Sequence, residues 1–193
     1  MKIEKLVVGS YQENCYFLIK DNDLIIVDPG DEFDKINNKI INEKLNLKAI
    51  LITHAHFDHV GALEELINTY NVPVYYNNVN NEIVYDNLIN VTEDKYNVLD
   101  FNFEIIKTPG HRNDLVTYYF YDDNVMFTGD FIFSGSIGRM DLEYASVSEM
   151  KKSIDKIKKY SNNIIIYPGH GDKTTLGSEK ENNYYFNIEL NQF

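Results

Sequence analysis

Thr53-His54-Ala55-His56-Phe57-Asp58-His59-Val60-Gly61 follows directly on Lys48-Ala49-Ile50-Leu51-Ile52. The run from Lys48 to Thr53 is of strand length and almost wholly apolar, the pattern of a strand buried on both faces. The segment that follows holds three of the chain's five histidines. In an extended loop, residues two apart point to the same side, so His54 and His56 can share one ion. Asp58 and His59 are adjacent, point differently and suit a second ion alongside. Imidazole and carboxylate together favour zinc, iron or manganese, and the absence of thiolates argues against a closed structural zinc site.

The same device recurs downstream. His111 follows Thr108-Pro109-Gly110, Asp130 follows Thr128-Gly129, and His170 follows Tyr167-Pro168-Gly169. Each time an apolar strand ends in a glycine-containing turn, where the backbone can bend sharply, and then presents a ligand-type side chain. One Gly-His pair is weak evidence, because most single histidines serve a surface or a core. All five histidines in this setting point to a metal centre. Two ions roughly 3.5–4 Å apart can share a hydroxide and bind both the attacked carbonyl and the leaving atom.

Working outward, Lys2 to Val8, Cys15 to Ile19 and Leu24 to Val27 read as short strands. Phe33, Ile36, Ile40, Ile41 and Leu45 recur at helical spacing and predict a helix over 34–46. A helix follows the histidine segment to about Tyr70. Val72 to Tyr76 is a strand and Val79 to Ile89 a helix. Phe101 to Lys107, Leu115 to Tyr121 and Val125 to Thr128 are strands, Met150, Ile154 and Ile157 mark a helix, and Ile164 to Tyr167 is a final strand. With no linker, repeat or low-complexity stretch, residues 1–193 are expected to form one domain. Two β-rich halves that each carry helices are accounted for by two sheets packed face to face and flanked by helices.

The chain has 30 acidic against 18 basic residues, a formal net charge of −12, which argues against general nucleic-acid binding. Its single cysteine cannot form an intramolecular bridge. Cys15 lies in an apolar run and reads as a small buried residue, with a catalytic thiol the lesser alternative. Charges at Lys2, Glu4 and Lys5 interrupt any leader-like block, and no stretch reaches the roughly 18 apolar residues of a membrane span. The expectation is a cytoplasmic protein acting on a small molecule, without nucleic-acid or membrane partners.

Thr53-His54-Ala55-His56-Phe57-Asp58-His59 resembles the metal signature of the metallo-β-lactamase superfamily, and Thr-Pro-Gly-His111, Thr-Gly-Asp130 and Pro-Gly-His170 match its remaining ligand motifs in order. The resemblance runs from Asn14-Cys15-Tyr16 and Val27-Asp28-Pro29-Gly30 to the end of the chain. Gly135-Ser136-Ile137-Gly138-Arg139-Met140-Asp141-Leu142 and the segment from Gly169 to Glu179 are most similar to short glyoxalase II-like hydrolases. That resemblance implies an α/β fold, a four-layer αββα sandwich with two mixed sheets flanked by helices. It implies that His54, His56 and His111 hold one divalent ion, that Asp58, His59 and His170 hold another, and that Asp130 bridges them. The ions would be zinc, with iron or manganese as alternatives. A bridging hydroxide would attack a thioester such as an S-acylglutathione, and Asp58 would help to orient it.

Two features differ from the longer relatives. Only 23 residues follow His170, so the helical region that grips glutathione in full-length glyoxalase II is not expected here. Arg112-Asn113-Asp114-Leu115 also stands where many relatives have small residues after the histidine. Arg112, Arg139 and Lys173 are the basic residues near the late ligands and the candidates for an anionic substrate. For each of them a solvated surface charge is the plainer role. Arg139 and Asp141 are expected to pair with each other or to pin the loop after Asp130, and Tyr184-Tyr185-Phe186 to pack the last segment onto the core. Asp28 either stabilises its turn or hydrogen-bonds a ligand histidine. The competing functions are hydrolysis of another ester, lactone or phosphoester at the same site, and an iron-dependent persulfide dioxygenase. A purely structural metal module would not need seven ligands.

Overall fold

The computed structural model describes residues 1–188. Strands β1 (Lys2–Val8), β2 (Glu13–Lys20) and β3 (Asp23–Val27) form an antiparallel meander. Helix α1 (Phe33–Asn42) then carries the chain to β4 (Asn46–Leu51), parallel to β3. After α2 (Phe57–Val60) and α3 (Leu63–Tyr70), β5 (Val74–Tyr76) and β6 (Leu88–Asn90) complete a six-stranded sheet in the order β1 to β6. Strands β7 (Lys95–Val98), β8 (Phe101–Lys107), β9 (Val116–Phe120) and β10 (Val125–Gly129) build an antiparallel run in a second sheet. A small hairpin of β11 (Ile132–Phe133) and β12 (Ser136–Ile137) leads to α4 (Val147–Ile157). Then β13 (Ile165–Pro168) pairs parallel to β10, followed by β14 (Thr174–Thr175) and α5 (Leu176–Asn182).

The period of two sorts each strand's side chains between layers. In β2, Cys15, Phe17 and Ile19 join Ile36, Ile40, Leu63 and Leu66 of the helices outside the first sheet. Tyr16 and Leu18 of the same strand face inward, against Phe103, Tyr118, Phe120 and Phe127 of the second sheet. Met126 and Ile166, on the far face of the second sheet, pack with Met150, Ile154, Ile157 and Leu176 of α4 and α5. The layers are helix, sheet, sheet and helix, as the resemblance implies. Cys15 is wholly buried in the outer layer, which gives it the packing role. No helix among the described residues is long and apolar enough to cross a membrane.

One expected element is absent. Residues 79–87 are not helical, and the only regular structure in the predicted span is β6. Asparagines replace the helical hydrogen bonds: Asn78 Nδ2 donates to the Ile83 carbonyl at 2.7 Å, Asn78 N donates to Asn90 Oδ1 at 2.9 Å, and Asn87 Nδ2 donates to Val72. Such side-chain bonds to the backbone compete with helix. Ile83 turns inward, while Val79 and Val84 stay exposed. Helix α1 is also shorter than predicted and ends at Asn42, ahead of a left-handed Lys44 (φ 54°).

Candidate metal centre

The histidine-bearing turns all open at one edge of the sandwich, between the sheets. Two backbone bonds hold that edge together: Val116 N donates to Thr53 O at 3.0 Å, and Asn14 N donates to Gly169 O at 2.8 Å. His54 to His59 come from the first sheet, after β4. His111 follows β8, Asp130 follows β10 and His170 follows β13, all in the second.

The side chains converge as two groups around one carboxylate. His54, His56, His111 and Asp130 form the first, and Asp58, His59 and His170 the second, with ligand atoms within 4.8 Å of one another in each. His56 Nδ1 lies 3.0 Å from His54 Nε2 and 2.9 Å from His111 Nε2. Asp130 stands between the groups: Oδ2 is 3.6 Å from His111 Nε2, and Oδ1 is 3.3 Å from His59 Nε2 and 3.6 Å from His170 Nε2. Asp58 Oδ2 is 3.3 Å from His170 Nε2.

Outer contacts set the tautomers. His111 Nδ1–H donates to the Arg139 carbonyl at 2.8 Å, leaving Nε2 for the centre. Asp28 accepts from Thr53 N at 2.7 Å, from Thr53 Oγ1 at 2.6 Å and from His59 Nδ1–H at 3.0 Å. Because the threonine proton goes to Asp28, Thr53 Oγ1 accepts from His54 Nδ1–H at 3.1 Å, and His54 Nε2 also faces inward. One buried carboxylate therefore orients two histidines, the arrangement that fixes ring direction at metal sites. Asp28 does so from a left-handed backbone (φ 51°), a conformation costing of order 1–3 kcal/mol that persists where surroundings over-determine it. Of the two roles open to Asp28 in the sequence, the structure shows the hydrogen bond to a histidine of the cluster, His59.

The glycines admit the close approaches. A Cβ on Gly169 would lie 2.5 Å from Asp130 Oδ1 and 2.6 Å from His59 Cε1, and one on left-handed Gly129 (φ 49°) would lie 2.3 Å from Thr53 Oγ1.

Charge states follow. Burial and crowding among imidazoles hold His54 well below its ordinary range and His56 at about 4, so both stand neutral with lone pairs available. Burial works against ionisation of Asp130, but His59 and the other imidazoles outweigh it and hold the carboxyl at about 2. His59 Nε2 and Asp130 Oδ1, both buried, have no hydrogen-bond partner among the described residues. Inward-facing imidazoles, ionised carboxylates and orphaned donor atoms make up a donor set that fits two divalent cations.

The basic candidates sit differently. Arg112 is buried, donating to Asp114 Oδ1 at 3.0 Å and to Glu82, with its guanidinium 5.3 Å from the Tyr144 ring centre. Arg139 donates twice to Asp141, at 2.7 Å each, the pairing expected from the sequence. Lys173 stands 5.9 Å from the Tyr167 ring centre, in a separate groove lined by Ile3, Lys5, Tyr16 and Asp172.

Two residues had no role in the sequence reading. Asp114 is fully buried and accepts from Ala55 N at 3.0 Å, between His54 and His56, and from Tyr76 Oη at 2.5 Å, so it ties the two ligand loops together. Glu13 is buried beneath the second group, 3.9 Å from His59 Nδ1, and neither of its oxygens has a hydrogen-bond partner among the described residues. Burial, only partly opposed by His59, drives its carboxyl well above the usual range. The available signal was a charge at the head of a strand that is apolar from Cys15 to Ile19.

Comparison with known proteins agrees with this geometry. The chain is 36% identical to the "Probable metallo-hydrolase YqgX" of Bacillus subtilis (strain 168), over 97% of this chain and 98% of that one. It is 32% identical to the "Hydroxyacylglutathione hydrolase GloC" of Haemophilus influenzae, over 97% and 99%. The crystal structure of TTHA1623 in a di-iron-bound form superposes with a TM-score of 0.83 at 29% identity, covering 94% of this chain and 99% of that one. The family model of the metallo-beta-lactamase superfamily matches residues 8–170, the span that carries all seven candidate metal ligands. The chain belongs to that superfamily and is an enzyme of its metallo-hydrolase type.

Proposed function

We propose that this metallo-hydrolase cleaves a thioester, of the S-acylglutathione kind, at a two-metal centre. The observation that carries the reading is the Asp130 carboxylate, one oxygen toward His111 and the other toward His59 and His170. A carboxylate so shared is suited to spanning two ions. His54, His56 and His111 would hold one ion and Asp58, His59 and His170 the other. Zinc is the first choice; iron is supported by the di-iron form of a solved neighbour. When bound, the ions supply a nucleophile at neutral pH and stabilise developing negative charge without a side-chain base.

The chain's own residues prepare that chemistry. Asp28 and the Arg139 carbonyl keep protons on the outer nitrogens of His59 and His111. Asp58 and Asp130 stay ionised, the second despite burial. The likeness to a hydroxyacylglutathione hydrolase over nearly the full length of both chains supports a thioester substrate.

The test is steady-state kinetics of zinc- and iron-loaded protein on S-lactoylglutathione, simple thioesters, lactones and phosphodiesters, with oxygen uptake on glutathione persulfide alongside. Thioester turnover that stops on chelation is expected. Rapid oxygen consumption by the iron form, without thioester turnover, would overturn the reading in favour of the dioxygenase.

A further inference from the structure

Beside Asp58 the surface opens into a groove of about 280 Å³, lined by Val8, Tyr11, Gly30, Asp31, Phe57 and Asp58 among others. Its two large side chains come from different elements. Tyr11 sits in the β1–β2 turn, and Phe57 lies in the ligand segment, between His56 and Asp58. The rings meet edge to face, 5.0 Å between centres and at 81°, yet they are 62% and 64% exposed. Two aromatic rings left in water beside a catalytic centre form a surface that gains free energy when an apolar group covers it.

The charges around the groove specify that group. Its lining contains carboxylates, Asp31 and Asp58, and no cation. The nearby Lys35 is engaged by the Val7 carbonyl at 2.8 Å and by Glu32 at 3.1 Å. The three basic residues closest in sequence to the late ligands are committed to Glu82 and Asp114, to Asp141, or to a different groove. An anionic arm would lie against Asp31 with no cation among the described lining residues to meet it.

We infer that the Tyr11–Phe57 groove binds an uncharged alkyl or aryl arm of the substrate, so that the preferred thioesters are those with an apolar arm beside the reacting carbonyl. This rests on the thioester-hydrolase reading and narrows it. Tyr11 and Phe57 then determine specificity by contact with substrate, and the metal-ligand geometry stays as described.

The experiment compares the metal-loaded enzyme with Tyr11→Ala and Phe57→Ala, metal content being measured in each. Substrates are acetyl and hexanoyl thioesters of one small neutral thiol, phenyl thioacetate, and S-lactoylglutathione as the charged reference. The parent should favour the hexanoyl or phenyl compound over the acetyl one in kcat/KM. Each substitution should cut that preference roughly five- to tenfold, mainly through KM, the range expected for a lost aromatic contact. Tyr11→Ala, remote in sequence from the ligands, decides the matter if Phe57→Ala loses metal. A preference unchanged within twofold in both variants, or an equal loss on every substrate, overturns the inference while thioester hydrolysis stands. If no thioester is cleaved, that reading falls, and 4-nitrophenyl acetate against 4-nitrophenyl hexanoate in the same variants judges the groove alone. No turnover of either set overturns both.

Discussion

At the scale of single residues, the proposed assignment separates groups that would hold one ion from the carboxylate that would serve both. Replacing His54 with Ala removes one donor from the first group, whereas Asp130→Ala removes the carboxylate between the two. We expect both variants to lose turnover and to keep the fold, since the ligands lie on turns and contribute little core area. Metal analysis should separate them: His54→Ala retains the second ion, and Asp130→Ala loses both. Two ions per chain with full activity in Asp130→Ala would remove the site assignment. Glu13 makes a different point. A folded carboxyl held above its ordinary 4.5 lends stability that is complete below that pH and is lost as pH rises through the folded value. In metal-free protein, Glu13→Gln should therefore gain on the parent as pH climbs above 4.5, because only the parent must ionise a buried carboxyl. The amide's own burial cost does not vary with pH, so the slope is diagnostic. Urea unfolding curves that keep a constant offset across this range would refute it.

At the scale of elements, the ligand segment after β4 and the turn that carries His111 are spaced by Asp114, through Ala55 N, Tyr76 and Arg112. Asp114→Ala should weaken metal binding 10- to 100-fold, as losses of such supporting contacts do. Asp114→Asn keeps one acceptor for Ala55 N and should restore part of it. Chelator competition on the folded variants measures this, and equal affinities in parent and Ala variant would show that the tie is only structural. The elements were unequally legible. β2, β4 and β10 announce themselves because burial on both faces demands nearly continuous apolar runs, and β8 does so by alternating Phe101, Phe103 and Ile105 inward. The histidine turns are legible because few side chains can bind a metal. The 79–87 segment misleads because its apolar spacing imitates a helix while asparagines capture the backbone. β7 and β14 escape notice: the first alternates Lys95 and Asn97 outward at a sheet edge, and the second is two residues long. Asp114 and Glu13 carry their roles in position alone, which no local pattern displays.

At the scale of the whole molecule, the donors are divided between the sheets, so bound ions would fasten one half of the sandwich to the other. Binding confined to the folded state adds about 4 kcal/mol per ion at a free concentration a thousand times Kd. For a chain of this size that corresponds to a rise in Tm on the order of 10 °C for one ion and about 20 °C for two. We expect chelation to abolish turnover and lower Tm by about that much, with zinc or another first-row ion restoring both. Calorimetry of the two forms checks it, and identical transitions after verified metal removal would contradict the division of donors described here.

The pairing of Glu13 with His170, reinforced by Asn14 Nδ2 donating to Pro168 O at 3.0 Å, joins positions more than 150 residues apart. A chain emerging from a ribosome exposes the donors of the first sheet long before β13 exists. Until β13 docks, the early histidines lack His170 as a partner. Contacts of such long span slow folding, because their loop-closure entropy must be overcome first. The complete donor set therefore exists only once β13 has docked against β2.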